Sequence, residues 1–378
     1  MQTRRNVLRL IGGGLVFAAA GSGGCAILSG PSEPAREPWL LAGQYPDFRH
    51  RALSYALLAP NPHNRQSWLV ALEGENALKL YCDLDRRLPI TDPFDRQITI
   101  GCGAFLEILV LAAASEGYQS SIQLFPEGED MKTLDKRPIA HVSFTKSNPV
   151  SDPLFSQVKK RRSNKEVYLP RDVEESLLKS LAAEGSSFKQ ASETIGKGTL
   201  TDRLRELTWQ AHRKEVMTPK ANQESVDLMR IGAAEVTANP DGIELEGSLI
   251  EFGRIFGVIN RESMADPNST GFRQGLAMYE ELAKSARAFG WICNHNASRS
   301  DQIQAGRAYV RVNLKATQLG LGIHPWSQSL QEYDEMKDLF REVHDLIGKG
   351  QRVQMLYRIG YGPDVDPTPR RGLKAHLV

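Results

Sequence analysis

The sequence predicts an α+β protein made of two joined halves, and three observations carry that expectation. The chain has 378 residues, too many for one ordinary core and suited to two domains or two fused half-domains. Helical and strand-like stretches alternate along it. Two long inner helices, within 98–116 and 306–319, each end at a glycine and run on into strand material, a faint internal duplication. Units of helix, glycine and strand also occur in mixed folds without any duplication. The composition, 41% apolar and 24% charged, is that of a folded chain. A net charge of +2 gives no footing for nucleic-acid binding.

Residues 1–28 read as a targeting segment. Thr3-Arg4-Arg5-Asn6-Val7-Leu8-Arg9 precedes a glycine-broken apolar stretch from Leu10 to Ala20, too short to span a bilayer. A charged start, a short apolar core and small residues make a secretory signal. The adjacent Arg4 and Arg5 point to the twin-arginine export machinery and a periplasmic protein; a plain signal or a short anchor is the alternative. That route carries folded proteins, often with a cofactor already loaded, so it favours a bound cofactor. Cys25 follows Ser22-Gly23-Gly24 as in a lipoprotein box, although Ser22 stands where leucine is usual. Lipidation there would anchor the protein to a membrane. Residues 29–45, rich in Pro, Ser and charge up to Pro38, read as a linker.

The first half is expected over 46–150. Ala52, Leu53, Ala56 and Leu57 form one face of a helix from Phe48 to Ala59, ended by Pro60 and Pro62. After the polar loop 61–66, Trp68–Leu72 and Ala77–Tyr81 form a hairpin around Gly74-Glu75-Asn76. Ile98 to Glu116 is apolar all round apart from its ends and Glu107. Such a helix must be buried on every side, with Gly117 as its cap. Strands follow at Ser121–Phe125 and Ile139–Phe144.

The second half spans 151–378. Helices are expected at Leu154–Lys160, Glu174–Ala183 and Thr201–Val216. An irregular, lid-like insertion follows at about 218–270, with turn signals at Asn239-Pro240-Asp241-Gly242 and Asp266-Pro267-Asn268. The helix Gly306–Leu319 is capped by Gly320, and Val353–Ile359 alternates as a strand. The second half shows no copy of the hairpin around Gly74. Cys82, Cys102 and Cys293 are far apart and form neither a disulfide framework nor a zinc pattern. Cys102 reads as a core residue. The histidines lack helical ligand spacing, so no metal site is expected.

Four clusters could carry chemistry. Arg161, Arg162, Ser163 and Lys165 offer guanidinium forks and a hydroxyl to a phosphate, or form a solvated helix end. Arg370 and Arg371 could close on the same phosphate, or be a basic tail. His63, Asn64 and Gln66 offer groups for sugar hydroxyls or ring carbonyls, or cap the preceding helix. Gly320 to Trp326, including Gly322 and Pro325, could bring backbone close to a planar ligand, or simply end a helix. There is no Walker loop, no Gly-x-Gly-x-x-Gly at a strand–helix junction and no Gly-x-Ser-x-Gly elbow.

Taken in order, these segments resemble one family. Ala59-Pro60-Asn61-Pro62-His63-Asn64-Arg65-Gln66-Ser67-Trp68 is similar to the Ala-Pro-Ser-x-x-Asn-x-Gln-Pro-Trp signature of nitroreductases, with Ser67 in place of the usual proline. Arg161-Arg162-Ser163-Asn164-Lys165 resembles their Arg-x-Ser-x-Arg/Lys motif. Arg358-Ile359-Gly360-Tyr361-Gly362-Pro363, followed by Arg370-Arg371, resembles their C-terminal end. Asp92-Pro93, Arg96 and Gly101-Cys102-Gly103-Ala104 fit the single-chain Acg-like branch. The resemblance runs from Phe48 to the end and is least in the insertion.

The resemblance implies a nitroreductase-like fold duplicated in one chain, a monomer that mimics the family dimer, with one FMN between its halves. Arg161 and Ser163 would then hold the phosphate and ribityl chain, with Arg162 beside them and Arg370 or Arg371 assisting. Lys165 would lie near the N1 and O2 edge of the ring. His63, Asn64 and Gln66 would reach the cofactor from the other half, and Gly322 and Pro325 would bring backbone to the ring. No side-chain nucleophile is implied, because the flavin carries out the hydride transfer. The implied function is an FMN-dependent oxidoreductase that passes two electrons from a small-molecule donor to a nitro, quinone or similar acceptor. A non-catalytic FMN-binding or sequestering protein is the alternative, and a partner-binding protein with a decayed site is the third reading.

Overall fold

The computed structural model describes residues 32–378. The signal segment, Cys25 and the start of the expected linker lie outside the described residues. Residues 34–41, within the stretch read as a linker, are helical instead. A 3₁₀ turn, Pro34–Arg36, leads into α1 (Glu37–Leu41), and Trp39 is buried. Its indole nitrogen donates to Thr368 O at 2.8 Å, so this segment is packed against the C-terminal tail.

Both halves follow one plan: helix, two strands, long helix, two strands. In the first half these are α2 (Phe48–Ala56), β1 (Trp68–Glu73), β2 (Ala77–Cys82), α3 (Arg96–Ser115), β3 (Tyr118–Leu124) and β4 (Ala140–Lys146). In the second half they are α4 (Glu175–Gly185), β5 (Ala191–Ile195), β8 (Ala288–Asn294), α11 (Arg299–Gln318), β9 (Gly322–Pro325) and β10 (Arg352–Gly360). Each half makes a four-stranded antiparallel sheet, ordered β1-β2-β4-β3 and β5-β8-β10-β9. The order is the same in both: first, second, fourth, third. The missing copy of the hairpin is therefore present as the β5–β8 pair. Its turn is replaced by everything between Ile195 and Ala288, so the insertion is longer than the expected 218–270.

That insertion contains α5 (Thr199–Met217), α6 (Pro219–Asp227), β6 (Met229–Ile231), α7 (Ala233–Ala238), β7 (Ile243–Leu245), α8 (Ser248–Ile255), α9 (Arg261–Ala265) and α10 (Thr270–Lys284). The last helix, α12 (Lys337–Val343), precedes β10. The helix expected at Leu154–Lys160 is a 3₁₀ turn over Pro153–Gln157. The chain leaves it to carry Arg161 inward, where Nη2 donates to Leu58 O at 3.0 Å.

The two long helices, α3 and α11, cross between the halves at glycine. A Cβ on Gly103 would lie 2.1 Å from Ile303 O, and one on Gly306 would lie 1.9 Å from Ile100 O. Gly103 is the eighth residue of α3 and Gly306 the eighth of α11, so the contact is reciprocal. The first residues are reciprocal too. Arg96 reaches Gln354 O and Leu330 O in the second half, and Arg299 reaches Lys132 O and Thr99 Oγ1 in the first. Glu107, the one acid on the apolar face of α3, is buried between Arg307 and Arg311 of α11. α3 is long and apolar enough to cross a membrane. It is buried in the protein instead, as its all-round apolar surface requires.

Cys82, Cys102 and Cys293 are free and buried, and burial pushes the Cys102 and Cys293 thiols up to about 12. These three thiols are expected to resist a disulfide-exchange reagent in the folded protein and to react together only once denaturant is added. Rapid labelling of more than one thiol in the native state would contradict this packing.

Candidate functional site

A cavity of about 370 Å³ lies between the halves and beneath the insertion, within the usual size range of ligand sites. The N-terminal part of α3 supplies Ile100, Gly101 and Ala104, and α11 supplies Tyr309. The insertion closes over it with Ser225, Met229, Gly242 to Leu245 and Met264, and α10 adds Phe272 to Tyr279.

The insertion is latched to the first half. Asp241 is buried and pairs with Arg65, Arg86 and Arg230. Three guanidinium partners outweigh its desolvation and hold the carboxyl below its usual range. Gly242 N donates to Asn64 O at 3.2 Å, and Gln66 Nε2 donates to Pro240 O at 2.9 Å.

The loop 61–66 is unusual in its backbone. His63, Asn64 and Gln66 have φ values of 47°, 50° and 52°, the left-handed region, which is uncommon for residues other than glycine. Asn61 Oδ1 accepts from Gln66 N at 2.7 Å, and Asn64 accepts from Arg370 Nη1 at 2.7 Å while donating to Pro369 O. The loop and the C-terminal tail therefore set each other's shape. His63 lines the cavity. Burial, with the charges of Lys165 and Arg65 beside it, lowers its pKa to about 4, so the ring is neutral at neutral pH.

The basic clusters converge on Trp39. The guanidinium carbons of Arg162, Arg370 and Arg161 lie 4.6, 5.5 and 6.0 Å from its ring centre. Arg161 and Arg370 are buried, and among the described residues neither forms an ion pair. Burial lowers Arg161 to about 10 and Arg370 to about 9, with the Arg161 charge contributing at Arg370; both stay charged at neutral pH. Their hydrogen bonding differs. Arg370 spends its donors on Leu57 O, Leu58 O, Ala59 O, Asn64 Oδ1, Thr368 Oγ1 and Pro369 O. Among the described residues Arg161 makes only the bond to Leu58 O, and its Nε and Nη1 are buried without a partner. A buried cation with open donors is costly unless an anion completes it.

His63, Asn64, Arg161, Arg162, Ser163, Lys165, Pro325 and Arg370 all line the cavity. Gln66, Gly322 and Arg371 do not. Gln66 is fully buried, and its amide is used up by Asn64 O, Pro240 O and Arg371 N. Gly322 sits on β9 beneath Asn164 and Tyr168, whose atoms lie 3.2 Å from where a Cβ would be. Arg371 turns outward toward Ala375 O and Asp83.

Sequence reasoning missed several lining residues. Trp39 was hidden in a stretch whose composition suggested a linker. His212 and Glu215 lie on the buried stripe of α5, which also carries Thr201, Leu204, Leu207, Thr208 and Ala211. The signal was available: that stripe turns from apolar to polar toward its C-terminal end. His324 is held by Arg358, whose Nε donates to Nδ1 at 3.1 Å, leaving the ring proton on Nε2. Burial and the Arg358 charge keep His324 well below its ordinary pKa.

No protein-family model matches the chain. Two Mycobacterium tuberculosis (strain ATCC 25618 / H37Rv) proteins are similar to it along most of their length. One, named "Putative NAD(P)H nitroreductase Rv3131", is 25% identical over 85% of this chain and 88% of its own. The other, "Putative NAD(P)H nitroreductase acg", is 24% identical over 85% and 92%. Among solved structures, the FMN-dependent nitroreductase NfnB from Mycobacterium smegmatis, in complex with NADPH, aligns with a TM-score of 0.35 at 18% identity. That alignment covers 58% of this chain and 94% of that one.

Proposed function

We propose that the protein is a nitroreductase-like, FMN-dependent oxidoreductase that moves two electrons from a small-molecule donor to a small organic acceptor. The observation that carries this reading is Arg161, a buried guanidinium that lines the cavity between the halves and, among the described residues, leaves two of its donors without a partner. A phosphate would suit it: Arg161 would donate, Arg162 and Ser163 line the same cavity, and Arg370 would add charge while it keeps loop 61–66 in place. Ile100, Gly101, Ala104, Tyr309 and Met355 give an apolar wall suited to a flat ring. Lys165 and Pro325 line the same space, and a cation near the ring favours its reduced, anionic form. When bound, FMN supplies the hydride chemistry; the protein binds and orients it and keeps water out. The two mycobacterial relatives carry NAD(P)H nitroreductase names, which supports the reaction class.

The latch at Asp241 favours a second reading, in which the insertion stays closed and the chain sequesters FMN without turnover. The purified mature protein is expected to be yellow and to release FMN on denaturation, as read by absorbance and chromatography. Dithionite would reduce the flavin under both readings, whereas turnover with NAD(P)H or another hydride donor occurs only under the first. A colourless protein that takes up no added FMN would remove both. Twin-arginine export to the periplasm and a monomeric state belong to the same proposal and rest on the sequence and on the duplicated plan. Nicotinamide is expected to be scarce there, so the physiological donor need not be NAD(P)H.

A further inference from the structure

The cavity has a second polar surface, which neither the arginines nor loop 61–66 use. It is formed by α5 and by the segment after β9. Glu215 is buried and lines the cavity. Its Oε1 accepts from Gln331 Nε2 at 2.7 Å. Among the described residues, no lysine or arginine pairs with it. His212 Nδ1 is 3.9 Å from Glu215 Oε2 and, among the described residues, has no hydrogen-bond partner. The His212 ring stacks on Tyr279 of α10, with centroids 3.9 Å apart. The other titrating groups that act on Glu215 are Glu224 of α6 and Tyr333 after β9; His324 of β9 faces His212 and is itself beside Arg358 and Lys165. None supplies a cation: burial lowers His212 to about 3 and keeps His324 neutral. The Oε1 atoms of Gln328 and Gln331 are buried without partners. Met264, Phe272 and Leu276 give this part of the cavity apolar walls.

A carboxylate buried without a cation is unfavourable, and the group holds its proton instead. Burial, with Glu224 adding to it, raises the Glu215 carboxyl to about 7, so much of it carries a proton at neutral pH. Among the described residues no lysine or arginine pairs with this surface, so the cations of the cavity lie with the other cluster. This surface offers an O–H donor to an uncharged acceptor.

We propose that this part of the cavity is the acceptor subsite, and that Glu215 is its proton donor for an uncharged planar acceptor of the quinone class. The proposal rests on the flavin reading above. A quinone becomes a hydroquinone by gaining two electrons and two protons. The bound, reduced cofactor would supply both electrons and one of the protons, as hydride, to one carbonyl oxygen. The Glu215 O–H bond breaks, and its proton goes to the other oxygen. Glu215 is left as a carboxylate and takes a proton back from water.

The test uses the full chain as purified with its flavin. The flavin is reduced with dithionite under anaerobic conditions and then mixed with 1,4-benzoquinone or with ferricyanide, which accepts electrons without protons. Glu215→Gln is expected to slow reoxidation by benzoquinone by about 100-fold, the scale of a lost general acid, and to slow ferricyanide far less. Glu215→Asp keeps a carboxyl and should restore part of the benzoquinone rate. In the parent protein that rate should fall as pH rises through about 7, and the fall should be absent in E215Q.

Two readouts are independent of turnover. The parent protein should show a protonated-carboxyl infrared band near neutral pH that E215Q lacks. Stability gives the second. A carboxyl raised in the folded state favours folding at low pH, and that contribution is lost as pH rises from its ordinary value to about 7. The Tm of E215Q should therefore rise relative to the parent across that window. Equal slowing of both oxidants, or a missing infrared band in a yellow parent protein, would overturn the proton-donor assignment and leave the flavin reading standing. A parent protein without flavin would overturn both.

Discussion

Gly306→Ala is expected to destabilise the protein by about 3 kcal/mol or more, the upper end for overpacking a close-packed core. The new methyl would lie 1.9 Å from Ile100 O, and a backbone oxygen inside a buried helix cannot swing away as a side chain can. The only relief is to separate α3 from α11, which opens the crossing that joins the halves. Gly103→Ala should do the same against Ile303 O, 2.1 Å away. The double variant should lose less than the sum, because one separation relieves both clashes. Gly320→Ala is the control: it has open space around it but a φ of +70°, so only the left-handed backbone penalty of about 1–2 kcal/mol applies. Chemical denaturation of the three variants checks this. Equal losses at Gly306 and Gly320 would mean that the helix crossing is looser than described.

Arg161→Met is expected to move two quantities in opposite directions. FMN affinity should fall by about 100-fold or more, since two charge-assisted hydrogen bonds to a phosphate are lost at about 1.5–3 kcal/mol each. The flavin-free protein should be no less stable and is expected to gain in Tm. In the parent, Arg161 is a buried charge with one hydrogen bond and two open donors, and methionine removes that desolvation penalty while filling similar space. A residue kept for packing would lower stability when replaced, and a residue kept for a ligand lowers affinity. Fluorescence titration with FMN and thermal melts of the flavin-free protein separate the two. Unchanged FMN binding in R161M would remove Arg161 from the phosphate site. Added FMN should raise the parent's Tm through binding linkage, and this shift should be small in R161M.

Arg370→Ala provides the contrast. Its donors hold Leu57, Leu58, Ala59 and Asn64, so its loss should lower both stability and FMN affinity. The two arginines look alike in the sequence, and only their partners distinguish them.

The sequence alone determined most of the elements and singled out many of the residues that line the cavity. The apolar, featureless stretch of α3 could only be a buried helix, and it is one. The hairpin at Gly74, the glycine caps at Gly117 and Gly320, and the final strand all follow from local periodicity and turn chemistry. Loop 61–66 and Arg161 to Lys165 stood out because polar and basic residues were crowded where a fold alone does not require them. These signals are local, since each depends on residues within a few turns of one another.

The tertiary structure decided what depends on distant partners. β5 and β8 form the second copy of a hairpin, but a turn of nearly the whole insertion leaves no local signal, and β8 is buried along its full length, so it lacks alternation. Trp39 became part of the site because three arginines from two distant segments pack on it, which composition cannot report. Gln66, Gly322 and Arg371 belong to matching motifs yet face away from the cavity, because hydrogen bonds to Pro240, packing on Asn164 and pairing with Asp83 claim them first. The raised carboxyl of Glu215 follows from its packing: among the described residues no lysine or arginine comes within ion-pair distance, and only the packed fold sets a group's neighbours, its burial and therefore its charge.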